Sequence, residues 1–205
     1  MEANSKELGG HASNQSTVST SLDSIDIDSF NVESETNIEW LTEIINNESI
    51  QDISEKTISM VNSESKLINT FYKNKCILSN KFYLSKNKHD VPELLSVINL
   101  GSNIESHPNV VHGGFSATIV DNCLGVLAHQ IFKLPVTKTL NLSYKKPIQP
   151  NSTIVVFSKL KYTEDGENFI RGDRATLVSE IYDINHELLL SSEAIFVDIS
   201  NKVKK

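Results

Sequence analysis

The chain has little of what would announce several large protein classes. Its two cysteines, Cys76 and Cys123, form no C-x-x-C pair and match no zinc-ligand spacing. They therefore supply neither a disulfide framework nor a metal module, and reduced thiols of an intracellular, cytoplasmic protein are expected. Arginine does not occur before Arg171, and the N-terminal region is rich in acids. A mitochondrial presequence has the opposite composition, Arg-rich and acid-poor. With no apolar core near the start of the chain and Glu2 in second position, neither a secretory signal nor N-myristoylation is expected. The C-terminal "KVKK" matches no targeting address. No apolar run approaches the roughly 20 residues of a membrane-spanning helix. Several catalytic signatures are missing too: G-x-S-x-G, H-E-x-x-H, G-x-x-x-x-G-K-[ST], and G-x-G-x-x-G after a strand. Serine hydrolases of the elbow type, zincins, P-loop enzymes and dinucleotide-binding dehydrogenases are all disfavoured. No internal repeat is visible.

What is present is one domain's worth of chain, 205 residues, with 39% apolar and 22% charged residues. The net charge of −7 is unevenly spread. Residues 1–60 hold twelve Asp/Glu against two Lys, a balance of −10, so the remainder sits near +3. An acidic chain of this kind argues against an extended nucleic-acid surface. The mildly basic remainder favours an anionic small ligand.

Residues 1–34 are acidic and Ser-rich without sustained periodicity, and are expected to be a disordered tail. Residues 35–75 are predicted to be a helical extension. "TNIEWLTEII" offers a capping box, Thr36 with Glu39, ahead of apolar residues at Ile38, Leu41, Ile44 and Ile45. A weaker helix follows through Ile53, Ile58 and Met60. Residues 76–200 make the main domain. "NKCILSNKFYLS" and "PELLSVINLG" are β-rich and separated by "KNKHDVP", where Asp90 and Pro92 suit a turn. A helix is predicted from about Gly114 to Phe132. "VTKTLNLSYKKP" then alternates, with Leu140, Leu142 and Tyr144 on one face and Asn141, Ser143 and Lys145 on the other. "STIVVFSKLKY", "FIRGDRATLVSEIYD" and "ELLLSSEAIFVDIS" supply further strands. The joints are an Asp165-Gly166 hairpin turn and "DINHE", where His186, like His11 and His89, reads as solvated surface. One helix among strands joined by short turns indicates an α+β domain with a largely antiparallel sheet.

The predicted helix carries the site. On a wheel of 100° per residue, Gly114, Ala117, Thr118, Gly125 and Ala128 fall within about 60° of Asp121. The other side collects Phe115, Ile119, Val120, Cys123, Val126 and Leu127, a bulky stripe suited to lie on a sheet, with Cys123 as packing rather than nucleophile. A solvated face would ordinarily carry Lys, Glu or Gln. Small residues around an acid instead permit close approach by a ligand or another subunit. Gly113 and Gly114 leave the first backbone N–H groups of the helix uncovered, which suits a negative or developing-negative oxygen. A carbonyl polarised there, with a carboxylate about two turns further on, makes a plausible acyl-hydrolysis site.

His112-Gly113-Gly114, Asp121 and the strand "LNLSYKKPI" together resemble the hotdog-fold acyl-CoA thioesterases, in particular the PaaI-like branch of the thioesterase superfamily. The resemblance runs from about Leu94 to Ile199. It implies the hotdog fold, a long central helix wrapped by a curved antiparallel sheet, and a homodimer or dimer of dimers with active sites at the subunit interface. It implies hydrolysis of acyl-CoA to a carboxylic acid and CoA without cofactor or metal. Asp121 is then the general base on water, or less commonly a nucleophile. The Gly114 N–H polarises the thioester carbonyl, Thr137 orients the water, and His112 supports the loop. Gly113 and Asn122 would line the substrate. Some branches place an Asn or Gln six residues before the motif histidine as a second carbonyl donor. Ser106 stands there in this chain, with His107 and Asn109 as substitutes. Lys145, Lys146, Arg171 and Arg174 are candidates for the CoA phosphates.

Two other functions stay open at this stage. A non-catalytic acyl-CoA or protein-binding module would keep the fold and lack an effective carbonyl donor at Ser106. A hotdog dehydratase or hydratase would rely on a histidine in a different motif context.

Overall fold

The computed structural model describes residues 38–58, 66–87, 90–162 and 170–203. The helices are α1 (Glu39–Ile45), α2 (Lys66–Lys73) and α3 (Gly113–Ala128). The strands are β1 (Gln51–Asp52), β2 (Ile77–Lys86), β3 (Pro92–Leu100), β4 (Glu105–His107), β5 (Val110–Val111), β6 (Pro135–Tyr144), β7 (Thr153–Leu160), β8 (Ile170–Arg171), β9 (Arg174–Tyr182) and β10 (Leu188–Asp198). One sheet runs β1-β2-β3-β7-β9-β10-β6, with β8 paired to β9, and β4 and β5 form a separate ribbon. Every pairing is antiparallel.

The long apolar helix and the sheet explain each other. α3 buries Phe115, Ile119, Val120, Cys123, Leu124, Val126 and Leu127. These meet Phe82, Leu94, Ile98, Ile154, Val156, Leu177, Ile181, Ala194 and Phe196 from the strands in one core. Cys123 is fully buried, and loss of water pushes its thiol up to about 12. It is a packing residue, protonated at neutral pH, as expected.

β3 and β7 are buried on both faces, which explains why "ELLSVI" and "IVVF" read as continuous apolar runs rather than alternations. Their inner face meets α3. The outer face is covered by α1, whose Leu41 and Ile44 pack on Tyr83, Leu95, Val97, Val155, Phe157 and Tyr182. The Trp40 indole N–H donates to the Ile184 carbonyl at 2.9 Å, and its ring lies 4.8 Å from His186. His186 also stacks on Tyr182 at 5.0 Å, so this turn residue is a docking contact for α1 as well as a surface group.

The structure departs from the sequence reading in several places. Ile38, with no side-chain cap, begins α1, because its extended backbone already turns the chain into the helix; Thr36 lies outside the described residues. A helical turn occupies 54–58, and Met60 also falls outside. β1 pairs with β2 inside the segment expected to be purely helical. α2 was not singled out, although Ile68, Phe71 and Tyr72 share one face; the Phe71 ring lies 4.9 Å from Phe115. α3 stops at Ala128 because 129–132 tighten into turns that bond back to Gly125, Leu127 and Ala128. Ala128, placed with Asp121 on the wheel, is fully buried, since the core closes over this end of the helix. "FIRGDRATLVSEIYD" is two strands rather than one, split at Gly172, whose φ of 61° makes the turn. The Asp165-Gly166 turn, His11 and His89 lie outside the described residues.

Candidate active site at the start of the central helix

The entry to α3 is tied down on both sides. Val111 donates to the Ile148 carbonyl at 2.9 Å and His112 to the Ile104 carbonyl at 2.7 Å. His112 is the N-cap in extended conformation (φ −60°, ψ 127°), and its carbonyl accepts from Phe115 and Ser116. Its side chain caps as well: the Gly114 N–H donates to His112 Nδ1 at 2.9 Å. An accepting Nδ1 puts the proton of the neutral ring on Nε2. The His112 ring thus engages the very N–H expected to face a substrate carbonyl. Gly113 has no hydrogen-bond acceptor for its N–H among the described residues. Both glycines are closely approached by side chains. A Cβ at Gly114 would lie 3.1 Å from His112 Nδ1, and one at Gly113 would lie 3.2 Å from the Tyr144 hydroxyl.

Asp121 lies on the half-open face of α3 with Ala117, Thr118, Asn122 and Gly125, opposite the buried stripe. Its Oδ1 accepts from the Thr137 hydroxyl at 2.7 Å. The two residues paired by motif spacing, sixteen apart in sequence, are therefore in direct contact. One carboxylate oxygen is thereby held by the hydroxyl. A Cβ built at Gly125, one turn beyond Asp121, would meet nothing within 4 Å, so the face beside the acid is open.

Strand β6 supplies the other wall, and a bulge makes that possible. Thr137 pairs with Phe196 and Thr139 with Ile195, leaving Lys138 as an extra residue. In a regular strand Thr137 and Tyr144, seven apart, would point to opposite faces. The extra residue resets the alternation, so both reach α3. Thr137 meets Asp121, Leu140 and Leu142 pack on the core, and the Tyr144 hydroxyl donates to the Gly113 carbonyl at 2.8 Å. Tyr144 is the residue that sequence reasoning left out of the site. Its signal was its place in the Y-K-K-P motif.

The remaining candidates are less gathered. Ser106 and His107 lie exposed on β4, and Asn109 follows at φ 61° with its N–H on Glu105. None of the three is hydrogen-bonded to Gly113, Gly114 or Asp121. Lys145 and Lys146 follow Tyr144 directly and donate their backbone N–H groups to Leu189. The Lys146 ammonium is paired with Glu187. Arg171 and Arg174 belong to the β8–β9 hairpin at the Thr137 end of β6, and Arg174 lies 3.6 Å from Asp173. The four cations are therefore split between the two ends of β6 rather than brought into one patch. No helix among the described residues is long and apolar enough to cross a membrane.

Residues 108–165 match the family model described as "Thioesterase superfamily". The curated relatives include acyl-coenzyme A thioesterase THEM4 of Rattus norvegicus, 39% identical over 34% of this chain and 30% of that protein. The Mus musculus counterpart is 37% identical over 37% of this chain and 33% of that protein. The chain thus spans about a third of the length of the curated relatives it matches. Among solved structures, thioesterase superfamily member 2 from Mus musculus superposes with a TM-score of 0.53 at 13% identity, covering 71% of this chain and 96% of that one. The Escherichia coli PaaI protein from the phenylacetic acid degradation operon gives 0.51 at 11% identity, covering 72% and 96%. At such identities these structures bear on the fold alone. Residues 108–165 are thus similar to the thioesterase superfamily, and the described domain has the hotdog fold.

Proposed function

We propose that the protein is an acyl-CoA thioesterase. The observation that carries this reading is the Thr137–Asp121 contact, set about two turns along α3 from the paired glycines. Asp121 takes a proton from water, and the hydroxide oxygen attacks the thioester carbonyl carbon. The electron pair moves to the carbonyl oxygen, which the start of α3 stabilises. As the tetrahedral species collapses, the C–S bond breaks and the CoA sulfur takes the proton from Asp121, leaving the carboxylic acid. For the Gly114 N–H to serve as donor, the carbonyl oxygen replaces His112 Nδ1 on it. Gly113 and Asn122 border the substrate, with Ser106, His107 or Asn109 as second donor. Lys145 is the cation best placed for CoA phosphates at the glycine end. The half-open Asp121 face and the free edge of β6 support assembly as a homodimer, alone or paired into a dimer of dimers.

Purified protein offered acyl-CoA substrates across chain lengths should release CoA, and Asp121→Asn should abolish release while keeping the fold. A full rate in the variant, or no hydrolysis at any chain length, overturns the reading. A second reading, a non-catalytic acyl-CoA or protein-binding module, is favoured by one observation: His112 already occupies the Gly114 N–H. Acyl-CoA binding without turnover selects it.

A further inference from the structure

The Gly113 carbonyl and the Gly114 N–H belong to one peptide group, and that group is held at both ends. Tyr144 Oη donates to its oxygen at 2.8 Å, and His112 Nδ1 accepts from its nitrogen at 2.9 Å. The holding is close on each side: neither glycine could carry a Cβ without lying within 3.2 Å of its partner's side chain. The Tyr144 ring is 54% exposed, so its hydroxyl is not there as the polar end of a buried core residue. It reaches the glycines because the bulge at Lys138 puts it on the same face of β6 as Thr137.

We infer that Tyr144 is a positioning residue for the site, acting through this peptide group. It rests on the thioesterase reading only for its kinetic consequence. A hydrogen bond received at an amide oxygen draws electron density from the nitrogen and strengthens the N–H as a donor. It also fixes the peptide plane, so the N–H keeps its direction when an incoming carbonyl oxygen takes the place of His112 Nδ1. Strand β6 thus governs both halves of the chemistry, the base through Thr137 and the carbonyl donor through Tyr144. The second donation is felt only as charge develops on the carbonyl oxygen, so its loss falls on kcat rather than KM.

The test is Tyr144→Phe, which removes one oxygen from a half-exposed ring. Two measurements are made on the whole chain: steady-state kinetics with an acyl-CoA substrate, and the amide proton resonance of 15N-labelled Gly114. Expected results are an upfield move of the Gly114 amide, a drop of about fivefold in kcat from loss of one neutral hydrogen bond, and KM within about twofold. Gly113→Ala should also be better tolerated in the Phe background than alone, because the 3.2 Å contact is gone. An unmoved Gly114 amide overturns the proposal, as does a loss carried by KM or matched by a fall in Tm. If the native protein hydrolyses no acyl-CoA, the thioesterase reading fails. The Gly114 resonance and the Gly113→Ala pairing then still decide whether Tyr144 governs this peptide group.

Discussion

The two sides of α3 are built on opposite rules. One side is Phe115, Ile119, Val120, Cys123 and Leu127, all buried against the sheet. The other is Gly114, Ala117, Thr118, Asp121 and Gly125, small, partly open, and holding the helix's one carboxylate. The first side is filled to exclude water; the second leaves room. A bulky residue on the first stabilises the fold, whereas one on the second would close the space that the acid faces. On the proposed function, stability and chemistry are divided between two stripes of a single element, and each can be perturbed separately.

Four substitutions test that division. Asp121→Asn should reduce thioester hydrolysis by about 10²–10⁴-fold, the usual worth of a general base, while far-UV circular dichroism and Tm stay near the native values. Leu127→Ala, on the filled side, should do the reverse. Removing a fully buried leucine costs about 2–5 kcal/mol, to be read from denaturant unfolding, with KM little changed in the fraction that remains folded. Thr137→Val keeps the shape but deletes the donor to a charged acceptor, a bond worth about 1.5–3 kcal/mol. A loss of roughly ten- to hundredfold in kcat is expected, with a smaller fall in stability because water can replace the donor at the exposed Thr137. Gly125→Ala is the smallest change and the most discriminating. Its Cβ meets nothing within 4 Å, so the isolated chain should gain about 0.4–1 kcal/mol. If the open face seats substrate or a second subunit closely, activity or association falls even as Tm rises. A gain in stability with no loss of either would show that this stretch of the face is merely solvated.

The helix and its acid were legible because periodicity is a local property: the wheel separates Asp121 from the bulky stripe, and the structure keeps them apart. The main strands were legible for the same reason. Three features were not. The covering of β3 and β7 by α1 joins residues more than fifty positions apart, and no local pattern states which face a distant helix will take. The Gly172 turn is short and rests on a positive φ that no local apolar pattern signals. The occupation of the Gly114 N–H depends on the rotamer of His112, which sequence spacing does not encode. The motif names candidate residues; their hydrogen-bond partners come only from the fold.

The close approach at Gly101 bears on where this protein could be cut. A Cβ there would sit 1.8 Å from the Lys75 carbonyl oxygen, so the chain leaving β3 passes directly over the turn that follows α2. The family match starts at residue 108, so a fragment cut there would lack β2 and β3 as well, and even one cut at residue 76 would discard everything upstream of the main strands. It would lose Leu41 and Ile44 from the back of the sheet and Phe71 from beside Phe115. It would also present Leu95, Val97, Val155 and Phe157 to water as one sticky surface. The shortest piece able to fold by itself and stay soluble should therefore begin before Ile38, well ahead of the region that matches the family model.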